Sequence, residues 1–110
     1  MNIMYDYELE TEDTDLKKVG MELMFMTPEK HEKPEGITAV ELAKLVGLSV
    51  EIVKKKLNIL KDAEIVHVRG SNPKYWKFDD YKFQRMDEDD EIFKLLCSFD
   101  DVDFDRFFQY

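Results

Sequence analysis

One cysteine, two histidines, three prolines and four glycines among 110 residues leave few ways to build chemistry into this chain. The lone thiol, Cys97, can close neither an intrachain disulfide nor a thiolate zinc site, and it suits a reducing compartment. His31 falls in a charged loop and His67 in a strand-like run, with no Cys or nucleophile arranged beside either, so neither a metal site nor a catalytic triad is expected. The glycines, at 20, 36, 47 and 70, are too scattered for a phosphate-cradling loop. Carboxylates are plentiful but occur in runs with little apolar surrounding, which is the pattern of a solvated face and not of a tuned acid and base. No stretch of about 18 apolar residues could span a bilayer. Asp6, Glu8 and Glu10 stand where a signal peptide would carry basic residues. These absences lead to the expectation of a soluble, cytoplasmic, non-enzymatic protein with no cofactor, no metal and no membrane association.

What the chain has in quantity is apolar side chains and charge. A hydrophobic share of 44%, including eight Phe, five Tyr and one Trp, suffices for one packed core despite 37% charged residues. The net charge of −9 argues at first against nucleic acid, whose non-specific affinity comes from Lys and Arg at phosphates. The charge is segregated, however. Residues 1–35 hold 4 basic and 10 acidic side chains, residues 36–85 hold 10 and 6, and residues 86–110 hold 2 and 9. A basic centre therefore sits between two acidic flanks.

In residues 2–10, Ile3, Tyr5, Tyr7 and Leu9 alternate with polar neighbours, a period of two that predicts a half-buried strand, either lying on its own domain or pairing with a second subunit. Thr11 to Asp15 offer N-caps for a helix that Leu16, Val19, Leu23 and Met24 or Met26 carry to Thr27, where Pro28 stops it. Gly20 inside that helix costs about 1 kcal/mol relative to Ala and implies a close helix contact or a bend. The segment from Pro28 to Gly36 reads as a surface loop.

The stretch 37–78 is the most clearly punctuated. Thr38 and Glu41 have the spacing of a capping box, opening a helix over 38–46 with Val40, Leu42, Ala43, Leu45 and Val46 as its buried side. Gly47 ends it and Ser49 caps a second helix over 50–62, whose Val53, Leu57 and Leu60 fall on one face with Ile52 and Ile59 widening the stripe. Val50, Glu51, Lys54, Lys55, Asn58 and Lys61 are then directed outward. Residues 65–69 and 74–78 read as two antiparallel strands joined by Gly70-Ser71-Asn72-Pro73.

Glu41-Leu42-Ala43, Gly47-Leu48-Ser49, the Val53, Leu57 and Leu60 stripe, and Ile65-Val66 with the hairpin after it resemble the winged-helix regulators of the ArsR and MarR type, over residues 36–83. The pattern departs from them at Glu64, where those regulators usually carry Gly. The resemblance implies a mainly α fold with a small β-hairpin, an α+β winged helix-turn-helix. Its flanks would be an N-terminal strand and helix (1–35) and an acidic C-terminal helix and aromatic tail (84–110). It further implies a second helix entering the DNA major groove and a hairpin following backbone or minor groove. Candidate DNA contacts are Ser49, Val50, Lys54, Lys55, Asn58, Lys61, Arg69, Ser71, Asn72 and Lys74. The Lys-, Glu- and Ile-bearing composition has an archaeal or archaeal-viral cast.

Beyond residue 86, five consecutive acids (87–91) precede Ile92, Phe93, Leu95, Leu96 and Phe99 at helical spacing, predicting a helix over about 89–98 with a strongly apolar face. The last residues alternate acids with aromatics. Phe104, Phe107 and Phe108 are spaced like the apolar end of a sliding-clamp peptide, but Asp101 stands where that motif has Gln, and packing on the chain's own core or on a dimer mate is the expectation. Two functions follow as expectations. The first is a homodimeric regulator that binds double-stranded DNA. The second is an interaction module of transcription or replication machinery that binds a basic protein partner through Ile92, Phe93, Leu96, Phe104, Phe107 and Phe108.

Overall fold

The computed structural model describes residues 3–25 and 35–108, and within them the side chains of all but residues 3–13, 104 and 108. The elements in chain order are α1 (Ile3–Phe25), α2 (Ala39–Val46), α3 (Val50–Asp62), β1 (Val66–Arg69), β2 (Tyr75–Phe78), α4 (Asp80–Gln84), α5 (Glu91–Leu96) and α6 (Asp101–Phe108). The fold is mainly helical with one antiparallel hairpin, an α+β class. No helix among the described residues is long and apolar enough to cross a membrane.

Local signals account for the central elements. Thr38 Oγ1 accepts from the Glu41 amide at 3.1 Å while Glu41 Oε1 accepts from the Thr38 amide at 3.2 Å, so the capping box forms in full. Gly47, at φ 72°, closes α2 in the left-handed conformation, and Ser49 Oγ accepts from the Ile52 amide at 3.2 Å to start α3. β1 and β2 pair in register Val66 to Phe78 and Arg69 to Tyr75. A third extended residue joins them: Ile37 exchanges two backbone hydrogen bonds with Trp76, at 2.9 and 2.8 Å. That bridge ties the start of α2 to the hairpin. Gly36 permits it, because a Cβ there would lie 2.5 Å from the Trp76 carbonyl oxygen and its φ is +113°.

The core gathers Leu16, Val19 and Leu23 of α1, Leu42 of α2, Val53, Leu57 and Leu60 of α3, and Ile65, Trp76 and Phe78 of the hairpin region. Each large aliphatic among them contributes about 1.5–3 kcal/mol of transfer free energy, which makes α1 a structural centre and not an appendage. Leu96 of α5 completes this core: it is fully buried and sits directly on Gly20. Gly20 therefore marks a close helix contact, one of the two alternatives, contact or bend, that its place in the sequence left open.

Several sequence expectations are corrected. Residues 2–10 were expected to be a strand, yet from Ile3 onward the backbone is helical and runs through the supposed caps at 11–15 without a break. The reason is backbone satisfaction: a helix pairs its own amides and carbonyls, whereas a strand needs a neighbour, and the sheet among the described residues has only β1 and β2. Val40 and Leu45 are exposed, not core. The buried stripe of α2 is Ala39, Leu42 and Ala43, with Val46 half-buried beside it, and its i, i+3, i+4, i+7 spacing excludes positions 40 and 45. Ile59 is exposed, and Val50 is half-buried against the core, not directed outward. The loop over 28–36, with His31, lies outside the described residues except for Glu35 and Gly36.

At Glu64 the backbone is left-handed (φ 68°). That is the conformation glycine adopts without cost, so here the sequence tolerates strain. Glu64 Oε1 accepts from Lys82 Nζ at 2.6 Å, which holds its carboxyl below the ordinary carboxylate range.

Candidate nucleic-acid interface

The bridge between Ile37 and Trp76 sets α2, α3 and the hairpin around one cleft of about 310 Å³. Lys54 and Asn58 line it from α3, where their i, i+4 spacing puts them on one face. Ser71, Asn72, Pro73 and Lys74 line it from the hairpin tip, and Thr38, Ala39, Val40 and buried Trp76 complete the lining. Among the described residues no carboxylate pairs with Lys54 or Lys74, and both are exposed.

The remaining candidates are dispersed. Ser49 caps α3 and Val50 packs inward, while Lys55 is exposed on α3 away from the cleft. Lys61 lines a different, shallow hollow on the far side of β1, with Glu64, His67, Asp79 and Lys82. Arg69 is exposed at the end of β1, opposite Tyr75. Sequence reasoning thus named five of the ten cleft residues and missed Thr38, Ala39, Val40, Pro73 and Trp76. The signal for Val40 was its position off the buried stripe of α2; nothing local marked Trp76.

The far side of the hairpin is an internal ion-pair surface. His67 Nε2 lies 2.6 Å from Asp79 Oδ2, and Asp79 Oδ1 accepts from the Lys82 amide at 2.9 Å to cap α4. The amide hydrogen bond, and after it the His67 contact, holds the Asp79 carboxyl below its usual range. Burial raises the exposed-edge thiol of Cys97. The described residues hold no cluster of metal-ligating side chains.

Four of the six C-terminal candidates, Ile92, Phe93, Leu96 and Phe107, pack on the chain itself. Leu96 is core; Ile92 is half-buried against the same cluster, and Phe93 stacks on Phe83 with centroids 5.0 Å apart. Phe107 and Phe99 lie on Phe25, at 5.1 and 5.7 Å. The side chains of Phe104 and Phe108 are outside the described set. The tail forms a helix, α6, that sequence patterning did not mark as one. Asp100 and Asp103 cap it reciprocally, each side chain accepting from the other's amide at 2.9 and 3.0 Å. Arg106 fastens α6 down: its Nε donates to Glu22 Oε1 at 3.0 Å and its Nη2 to the Leu45 carbonyl at 3.0 Å. Lys17 Nζ adds a contact to Asp103 at 3.0 Å. No family model, no curated protein and no solved structure matches this chain.

Proposed function

We propose that this chain is a winged helix-turn-helix that binds duplex DNA, acting as a transcriptional regulator in which two copies read a two-fold related site. The observation that carries the reading is the convergence of Lys54 and Asn58 on α3 with Ser71, Asn72 and Lys74 on the hairpin, in the basic central segment of an acidic chain. The element order from Ile37 to Phe78, with Ile37 bridged to β2, suits a recognition helix and a wing held as one body. The acidic flanks suit a protein that must avoid indiscriminate binding, because their like charge repels phosphate beyond the contact surface. The rival reading, a protein-interaction module with an acidic aromatic tail, has less support, since Phe99 and Phe107 already pack on Phe25.

The test is a duplex titration at low salt with the parent and with Lys54→Ala plus Lys55→Ala. Binding that the double substitution weakens, with a shallower dependence on salt, supports the proposal. Absence of duplex binding at low salt, or binding indifferent to the two lysines, overturns it.

A further inference from the structure

The hairpin has two edges, and only one of them is occupied. Along β2, Trp76 exchanges both of its backbone hydrogen bonds with Ile37. In an antiparallel ladder, residues bonded across the pair alternate with residues whose amide and carbonyl point away from it. Two bonds fix that alternation here: Trp76 points away from β1, and just beyond the strand ends the Asp79 amide donates to the Ile65 carbonyl at 2.8 Å. In this register His67 and Arg69 bond to Lys77 and Tyr75, while the amides and carbonyls of Val66 and Val68 point to the outer side of β1. Among the described residues the sheet has no strand beyond β1, and neither valine has a hydrogen bond on that side. Val66 is buried and Val68 half-buried, so the reachable part of the edge centres on Val68. Such an edge is a template for a further strand.

The charge beside the edge selects the strand. A hollow of about 370 Å³ adjoins it at Val66, His67 and Val68. Its two carboxylates are already engaged, Glu64 by Lys82 Nζ at 2.6 Å and Asp79 by His67 Nε2 at 2.6 Å. Lys61 in the same hollow and Arg69 at the end of β1 are exposed, and among the described residues neither has a carboxylate partner. We propose that the outer edge of β1 docks an extended acidic segment of a partner protein, which adds as a further strand bonded to Val68, with carboxylates at Lys61 and Arg69. The side chains of an added strand alternate between faces, so the partner alternates acidic residues, on the outer face that carries Arg69, with apolar ones beside Val68. A second copy pairing through its own β1 is the poorer occupant. A two-fold axis at His67 would set the two His67 side chains opposite each other and double the uncompensated positive charge along one seam. The proposal goes beyond the duplex reading and does not depend on it, because the cleft of Lys54 and Asn58 lies on the other side of the hairpin.

The experiment titrates the full chain, without DNA, with a capped peptide of about eight residues that alternates glutamate and valine, followed by nitrogen-15 NMR. The largest shifts are expected at residues 66–69, and the Val68 amide, exchanging freely with solvent in the protein alone, should become protected. Only alternate amides of a strand face its neighbour. N-methylation of all the valines or of all the glutamates should therefore weaken binding at least about tenfold in one peptide and stay within about twofold in the other, the valine set marking an antiparallel strand. Lys61→Glu with Arg69→Glu, both exposed, should weaken binding on the order of tenfold, and a peptide with lysine in place of glutamate should not bind. Val68→Pro removes the outward amide without touching a ladder bond and should abolish binding. No shift on β1 at about 1 mM peptide, equal loss from both N-methylated sets, or equal binding of the lysine peptide overturns the proposal. A Val68 amide already protected in a protein of twice the chain's mass overturns it in favour of a second copy. None of these outcomes bears on duplex binding, which the titration above tests separately.

Discussion

The contact between Gly20 and Leu96 makes a sharp prediction, because one substitution should change sign with its background. A Cβ built on Gly20 would lie 2.5 Å from Leu96 Cδ2, 3.3 Å from Cδ1 and 3.5 Å from Cγ, and Leu96 is fully buried in a packed core. In the parent, Gly20→Ala gains about 1 kcal/mol from reduced backbone entropy in the helix. Against that stands about 1–3 kcal/mol of overpacking, so the net effect is destabilising by up to about 2 kcal/mol. Leu96→Ala alone should cost about 2–5 kcal/mol through lost transfer energy and a cavity. That second substitution removes all three atoms that the new Cβ would meet. In the Leu96→Ala background, Gly20→Ala should therefore stabilise by about 1 kcal/mol or somewhat more, since its methyl also fills part of the cavity. Urea denaturation of the four proteins, followed by far-ultraviolet circular dichroism, yields the coupling energy directly. Strict additivity, or a Gly20→Ala that stabilises both backgrounds equally, would refute the packing of α5 on α1 described above.

Other expectations follow from single contacts. Gly36→Ala should destabilise by more than about 1 kcal/mol, because its φ of +113° and the Trp76 carbonyl 2.5 Å away leave no conformation for a side chain; by disturbing the Ile37 bridge it should also weaken duplex binding, read by titration. Arg106→Ala leaves the buried Glu22 carboxylate without that partner and should cost about 1–3 kcal/mol in thermal or urea unfolding, with Arg106→Lys recovering only part. Glu64→Gly should raise the urea midpoint by relieving a left-handed backbone, whereas Glu64→Ala, which keeps the strain and loses the Lys82 contact, should lower it. The Asp79 and Asp100 carboxyls are held below their ordinary values, by the amide hydrogen bonds of Lys82 and Asp103 respectively, so their contribution to stability is complete above the unfolded-state carboxylate range and is lost as pH falls through and below it. Asp79→Asn keeps a good helix cap but no charge, so its stability deficit relative to the parent should vanish in acid, as followed by denaturation at a series of pH values.

Residues 37–78 show why local signals succeed. The capping box at Thr38, the stop at Gly47, the cap at Ser49 and the stripe of Val53, Leu57 and Leu60 each depend on neighbours within about one or two helical turns, and the structure contains all of them. Residues 3–10 show the opposite case. Their alternation is compatible with a strand, but a strand exists only if another is present to pair with it, and period alone says nothing of that. In the tail, the Asp100 and Asp103 cap was legible as a spacing of three, yet the acidic and aromatic composition obscured it; that Phe99 and Phe107 would find Phe25 depends on contacts spanning more than seventy residues.

The amino-acid order alone determined the segregation of charge, the central helices with their caps, the hairpin, and the residue types fit to meet phosphate, since each of these is a matter of composition or short-range geometry. Tertiary structure alone decided which of those residues act together. The Ile37 to Trp76 bridge, made possible by Gly36, turns α3 and the hairpin toward each other and so joins Lys54 and Asn58 to Ser71, Asn72 and Lys74 while leaving Lys61 and Arg69 elsewhere. The physical reason is that a helix presents its side chains all round its axis, and only its packing against other elements selects the face that becomes a site.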